Sequence, residues 1–163
     1  MIKLDPLGPQ HAGRVTSLMD AEVCKLLERE PINQVSEALA YVYDFGSTQP
    51  VKFAITHPAL GLVGVISFGR TKNEIAEVVL GYWIGRAYQG HGFATEAIRL
   101  LLLQLKKLQI QQVIAEVFPE NSSSLRVLEK KGFSQYYNPS TEKPKLCFKL
   151  QLTTPANQLA AAS

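Results

Sequence analysis

The chain has 163 residues, enough for one domain with a real hydrophobic core. Its 46% hydrophobic and 19% charged content excludes a disordered or low-complexity polypeptide. A net charge of +3 from scattered Lys and Arg is not the basic stripe of a nucleic-acid binder. Along the chain the pattern is mixed α and β. Ile2 to Leu4 reads as a short strand. Pro9 to Met19 reads as a helix with proline near its start, followed by a second helix from Ala21 to Arg29. Ser36 to Asp44 reads as a third, with Ser36 as its N-cap. Val51 to Thr56, Leu62 to Phe68 and Ile75 to Ile84 read as strands, parted by turn signals at His57-Pro58 and Lys72-Asn73. Gly92 to Leu108 carries Ala94, Ala97, Ile98, Leu101, Leu102, Leu105 and Leu108 at helical spacing. Gln112 to Phe118 is a strand, Asn121 to Lys131 a helix ended by Gly132, and Phe133 to Tyr137 and Lys145 to Leu152 are closing strands. These elements predict one domain over residues 1–152, with 153–163 a polar, frayed tail.

No apolar run approaches the roughly 20 residues of a membrane span. The N-terminus lacks a signal peptide's apolar core. Cys24 and Cys147 are too few and too far apart for a disulfide framework, so reduced thiols and a cytoplasmic setting are expected. His11, His57 and His91 match no ligand spacing, so no metal is expected.

The most informative stretch is Gln89-Gly90-His91-Gly92-Phe93-Ala94-Thr95-Glu96. It joins the apolar strand Val78–Ile84 to the long helix. Glycines at a strand–turn–helix junction let backbone N–H groups approach a ligand closely. The first helical turn adds unpaired donors and the positive end of the helix dipole. The residues Gly90 to Thr95 therefore read as a phosphate cradle. A Walker A loop would need Lys-Ser/Thr after its last glycine, where Phe93-Ala94 stands. A dinucleotide fingerprint would need a third glycine, where Thr95 stands.

Gln89-x-x-Gly92-x-Ala94 resembles the Gln/Arg-x-x-Gly-x-Gly/Ala motif of the GNAT superfamily of acyl-CoA-dependent N-acetyltransferases. Pro119-Glu120-Asn121-Ser122-Ser123-Ser124, followed by Val127-Leu128-Glu129-Lys130-Lys131-Gly132-Phe133, resembles the second signature of the branch that acetylates ribosomal-protein N-termini at alanine or serine. Gly81-Tyr82-Trp83-Ile84 is similar to that branch's central strand, and Leu4-x-Pro6-Leu7 to its opening. The resemblance implies an α/β GNAT fold: a mixed, mostly antiparallel sheet of six or seven strands, splayed at its centre, with helices on both faces. It implies acetyl-CoA as co-substrate and direct attack by a primary amine in a ternary complex. The expected acceptor is a protein or peptide N-terminus. A small-molecule amine (polyamine, amino acid, antibiotic) and a non-catalytic acetyl-CoA-binding role stay open, as does monomer against homodimer.

The resemblance further implies that the backbones of Tyr82, Trp83 and Ile84 meet the pantetheine arm, and that Gln89, Gly90, His91, Gly92, Phe93, Ala94 and Thr95 surround the pyrophosphate. Asn121 and Ser124 share one face of a helix start, where capping and cofactor contact are both open readings. Many GNAT enzymes place a tyrosine four residues after this serine to protonate the CoA sulfur. Here that residue is Leu128, and the ribosomal-protein branch shares the departure, so Ser124 is expected as the acid. Glu77, on the strand that feeds the splay, is expected as the base, with Glu74 and Glu116 as rivals. In close relatives the acidic residue sits nearer the glycine, where this chain has Leu80.

Overall fold

The computed structural model describes residues 1–44, 50–73, 76–139 and 145–152. Seven strands form one sheet: β1 (Lys3–Pro6), β2 (Val51–His57), β3 (Gly61–Arg70), β4 (Glu77–Ile84), β5 (Gln112–Val117), β6 (Ser134–Tyr136) and β7 (Leu146–Gln151). Their spatial order is β1-β2-β3-β4-β5-β7-β6. Every neighbouring pair is antiparallel except β4 with β5. The parallel join is possible because a helix crosses between those strands.

Among the described residues five α-helices cover the two faces: α1 (Ala12–Leu18), α2 (Ala21–Leu26), α3 (Val35–Val42), α4 (Phe93–Lys107) and α5 (Ser122–Lys130). Strand alternation divides the apolar residues between two cores. Val78, Leu80 and Ile84 of β4, with Val113, Ala115 and Val117 of β5, join Ala97, Ile98, Leu101 and Leu105 of α4 and Leu128 of α5. On the opposite face, Trp83 and Val65 meet Val15 of α1, Val23 and Cys24 of α2 and Ala38 of α3. Burying each such large apolar side chain contributes about 1.5–3 kcal/mol.

The strands fall where the period-two pattern places them, and the N-terminal helices do not. A 3-10 turn, Pro9–His11, precedes a shorter α1, and the Nδ1 of His11 accepts from the N–H of Gly8 at 3.0 Å. The second helix ends at Leu26, because the N–H groups of Leu27 and Arg29 both turn back to Cys24 O and Glu28 takes a left-handed φ of +55°. Ser36 does not cap the third helix. That helix starts at Val35, and Gln34 holds the N-cap position without a side-chain bond. The true side-chain cap in this region is Asp20, whose carboxylate accepts from Val23 N at 3.0 Å.

Candidate active site

β4 and β5 pair only at Glu77–Gln112, Val78–Val113 and Val79–Ile114. Beyond Val79 each strand keeps its other neighbour: β4 stays with β3 as far as Ile84–Gly64, and β5 stays with β7 as far as Val117–Leu146. The two strands therefore part, and a cleft of about 450 Å³ opens between Leu80–Ile84 and Ala115–Phe118. Parted strands expose backbone N–H and C=O groups that an extended ligand can pair with.

One end of the cleft is the glycine turn. Gly90 and Gly92 both have φ of +80°, the left-handed region where a Cβ brings strain. Gly92 is the N-cap of α4 and offers no capping side chain. The first bond of that helix runs from Glu96 N to Gly92 O at 3.1 Å. The amides of Phe93, Ala94 and Thr95 thus have no intrahelical acceptor. These three residues line the cleft, at the positive end of a 15-residue helix. Arg126 and Lys130, one turn apart on α5, line it too. The arrangement suits a phosphate or pyrophosphate.

The turn is held from several sides. Arg14 donates to Leu60 O and Leu62 O, each at 3.1 Å, and to the hydroxyl of Tyr88. Arg86 pairs with Asp20 at 2.7 Å. Asp20 is held below the usual carboxylate range, by the N–H of Val23 first and by Arg86 against the opposing effect of burial. The side chain of Gln89 donates to Ile84 O at 2.9 Å, so this motif residue shapes the turn. His91 departs from expectation. Its ring sits 3.2 Å from Tyr88 O and stacks on Phe93 at 5.8 Å, and it does not line the cleft. Any role it has in the cradle is through its backbone.

Tyr82, Trp83 and Ile84 all line the cleft. The side chains of Trp83 and Ile84 belong to opposite cores, and Trp83 Nε1 donates to the hydroxyl of Tyr41 at 3.1 Å. Asn121 and Ser124 are brought together on the α5 side. Asn121 Oδ1 accepts from Ser124 N at 3.3 Å, so Asn121 is the helix cap while also lining the cleft. Leu128, one turn beyond Ser124, is fully buried in the core and offers no donor.

Glu77 is not at the cleft. It is buried at the closed end of the β4–β5 pair, and its carboxylate accepts from Thr71 Oγ1 at 2.8 Å and from Gln112 Nε2. Alternation placed Glu77 on the correct face, but the strands are still paired there, four residues before Gly81. Its geometry fits a clamp on the sheet. Glu77→Gln should lower Tm, because charge-assisted hydrogen bonds contribute about 1.5–3 kcal/mol. Turnover should stay near wild type. A large loss of kcat in a folded variant would restore Glu77 as the base. Glu74 lies outside the described residues. Glu116 is the one carboxylate among the described residues that line the cleft. Val113, Ala115 and Val117 point into the α4 core, so Glu116 presents to the opposite face, the one that carries Trp83.

The part of the cleft wall on the sheet face opposite α4 and α5 is apolar. Val23, Leu26 and Leu27 of α2 and its exit line it with Phe118. Lys145 lies over the Phe118 ring at 5.2 Å and pairs with Glu28 at 3.0 Å, bridging from the exit of α2 to the start of β7. Nothing in the sequence marks the α2 residues or Phe118, because nothing local links positions 23–28 to 118 and 145. Taken alone, Arg126 reads as a solvated helix charge; only its i, i+4 spacing to Lys130 on a cleft-facing helix start marks the pair.

A family model described as an acetyltransferase (GNAT) domain matches residues 2–134. The chain belongs to the GNAT acetyltransferase family. It is 36% identical over 74 residues to the probable N-acetyltransferase YjcK of Bacillus subtilis (strain 168), a match that covers 44% of this chain and 41% of that protein. It is 31% identical over 75 residues to the ribosomal-protein-serine acetyltransferase of Escherichia coli (strain K12), again 44% of this chain and 41% of that protein. In both cases the match spans less than half of the relative's length. Among solved structures, the Microcin C7 self immunity acetyltransferase MccE in complex with acetyl-CoA and AMP superposes with a TM-score of 0.77 at 17% identity, covering 93% of this chain and 92% of that one. The GNAT fold expected from sequence, six or seven mostly antiparallel strands with helices on both faces, is the fold observed, with seven strands.

Proposed function

We propose that this GNAT protein transfers the acetyl group of acetyl-CoA to the α-amine at the N-terminus of a protein or peptide, by direct attack in a ternary complex. The observation that carries the reading is a cleft with two chemically different sides. On the α4–α5 side are the uncapped amides of Phe93, Ala94 and Thr95 with Arg126 and Lys130, which suit the cofactor's phosphates. The unpaired edge of β4 at Tyr82–Ile84 suits the amide-bearing pantetheine arm. On the opposite sheet face are apolar side chains and the carboxylate of Glu116, which suit an amine. The acetyl-CoA complex of the structural neighbour and the activity named for the Escherichia coli relative support it.

In this reading Glu116 takes the proton of the attacking amine through water. Ser124 holds the charge that develops on the departing sulfur. An amine attacks only when neutral, and an α-amine with pKa of about 8 needs less help than a lysine near 10.4. One exposed carboxylate acting through water suits the easier substrate. The test is thiol release from acetyl-CoA with a panel of N-terminal peptides, lysine side-chain peptides and small amines, corrected for release without acceptor. Turnover on free N-termini alone supports the proposal. Turnover on small amines alone reassigns the acceptor. No turnover with any acceptor, alongside tight acetyl-CoA binding, leaves a binding domain.

A further inference from the structure

The hydroxyl of Tyr82 is buried in the cleft wall without a partner at full hydrogen-bond geometry, and Ser124 is the side chain that comes near enough to act on it. Such groups are rare in folded proteins, because an unpaired buried hydroxyl costs stability. The residue stands in the middle of β4, opposite Ile66 of β3, with its ring packed against the α4–α5 core. The hydroxyl of Ser124, in the first turn of α5, is its polar neighbour. Tyr82 and Ser124 both line the cleft. Burial pushes the phenol up, with Ser124 opposing in part, so the phenol keeps its proton through the neutral range. A serine hydroxyl left to itself rotates among several acceptors, and its O–H has no fixed aim.

We propose that Tyr82 is a positioning residue for Ser124. The phenol O–H donates to Ser124 Oγ, and the serine's own O–H is thereby directed into the cleft at the thioester sulfur. This inference rests on the acetyltransferase reading and on Ser124 as donor to the leaving group. As the amine's C–N bond forms, the C–S bond breaks with its electron pair on sulfur. The amine's proton passes to Glu116 and on to solvent. The thiolate, held by Ser124, takes a proton from solvent as it leaves. Tyr82 keeps its proton throughout and polarises the serine. The fully buried Leu128 explains the need: the helix position one turn beyond Ser124 offers no hydroxyl, and β4 supplies one instead.

The experiment is a double-mutant cycle of Tyr82→Phe and Ser124→Ala, read in kcat, acetyl-CoA affinity and Tm. Y82F keeps the ring and gives up only the bond to Ser124, so Tm should barely move. Its kcat should fall about tenfold with acetyl-CoA affinity unchanged. S124A should fall further, on the order of a hundredfold. The double variant should be no worse than S124A, because the phenol acts only through the serine. A purely structural tyrosine would give the reverse: lower Tm, with losses that multiply. Wild-type kcat in Y82F, or multiplying losses in the double variant, overturns the inference. If S124A itself turns over normally, the donor role of Ser124 falls and takes this inference with it. An impaired S124A beside a normal Y82F removes Tyr82 alone.

Discussion

Gly92→Glu is expected to abolish the rise in Tm that acetyl-CoA gives the wild-type protein. A ligand that binds only the folded state at a hundred times its Kd stabilises it by about 2.7 kcal/mol. For a domain of this size that is a shift of roughly 5–10 °C. Gly92 has φ of +80° and ψ of 7°, and a Cβ built on it meets nothing within 4 Å. The new side chain therefore has room, and the penalty is backbone strain of roughly 1–2 kcal/mol. That leaves a fold of ordinary stability intact. The carboxylate sits at the helix N-terminus, where the dipole favours it, and so acts as a built-in anion in front of the amides of Phe93, Ala94 and Thr95. Gly92→Ala carries the same strain without the charge and should keep most of the thermal shift. A folded Gly92→Glu variant that still responds normally to acetyl-CoA would show that phosphate sits elsewhere.

The contrast between the two sides of the cleft also explains what the sequence could and could not reveal. The cofactor side is local. Strand, glycine turn and helix follow one another from Val78 to Leu105, and two of the four described φ-positive glycines, Gly90 and Gly92, fall inside the motif that named the site. Asn121 and Ser124 are likewise neighbours on one helical turn. The sheet was legible because its strands carry apolar runs at period two, with β2, β3 and β4 sending alternate residues to two different cores, and that is a property of the strand alone. The proposed acceptor side is assembled from α2, β5 and the residue before β7, separated by up to about 120 positions, and only the folded chain joins Leu26, Glu116 and Lys145. Glu77 and Glu116 lie on the same face of neighbouring strands, and alternation cannot choose between them. The place where β4 and β5 part sets them apart, and pairing that stops at Val79–Ile114 leaves Glu77 in the closed half and Glu116 in the open half.

Glu116→Gln is accordingly expected to remove the route for the amine's proton while sparing the cofactor site. The substitution keeps the size of the side chain at an exposed position, so Tm should barely move. Acetyl-CoA affinity should also hold, because Glu116 presents to the sheet face opposite the α4–α5 core. At neutral pH kcat/KM should fall by about a hundredfold, the usual scale for one positioned base. The size of the loss should depend on pH in a definite direction. Below about pH 8 an N-terminal amine is mostly ammonium, and the enzyme must accept a proton before or during attack. Above that value the solution delivers the amine already neutral, and only the proton shed after attack remains to be taken. The gap between variant and wild type should therefore narrow as pH rises from 7 to 9. A gap of constant size across that range would mean that Glu116 orients the acceptor without handling its proton. No gap at all would mean that water alone carries the proton away, with the carboxylate idle on the proposed acceptor side.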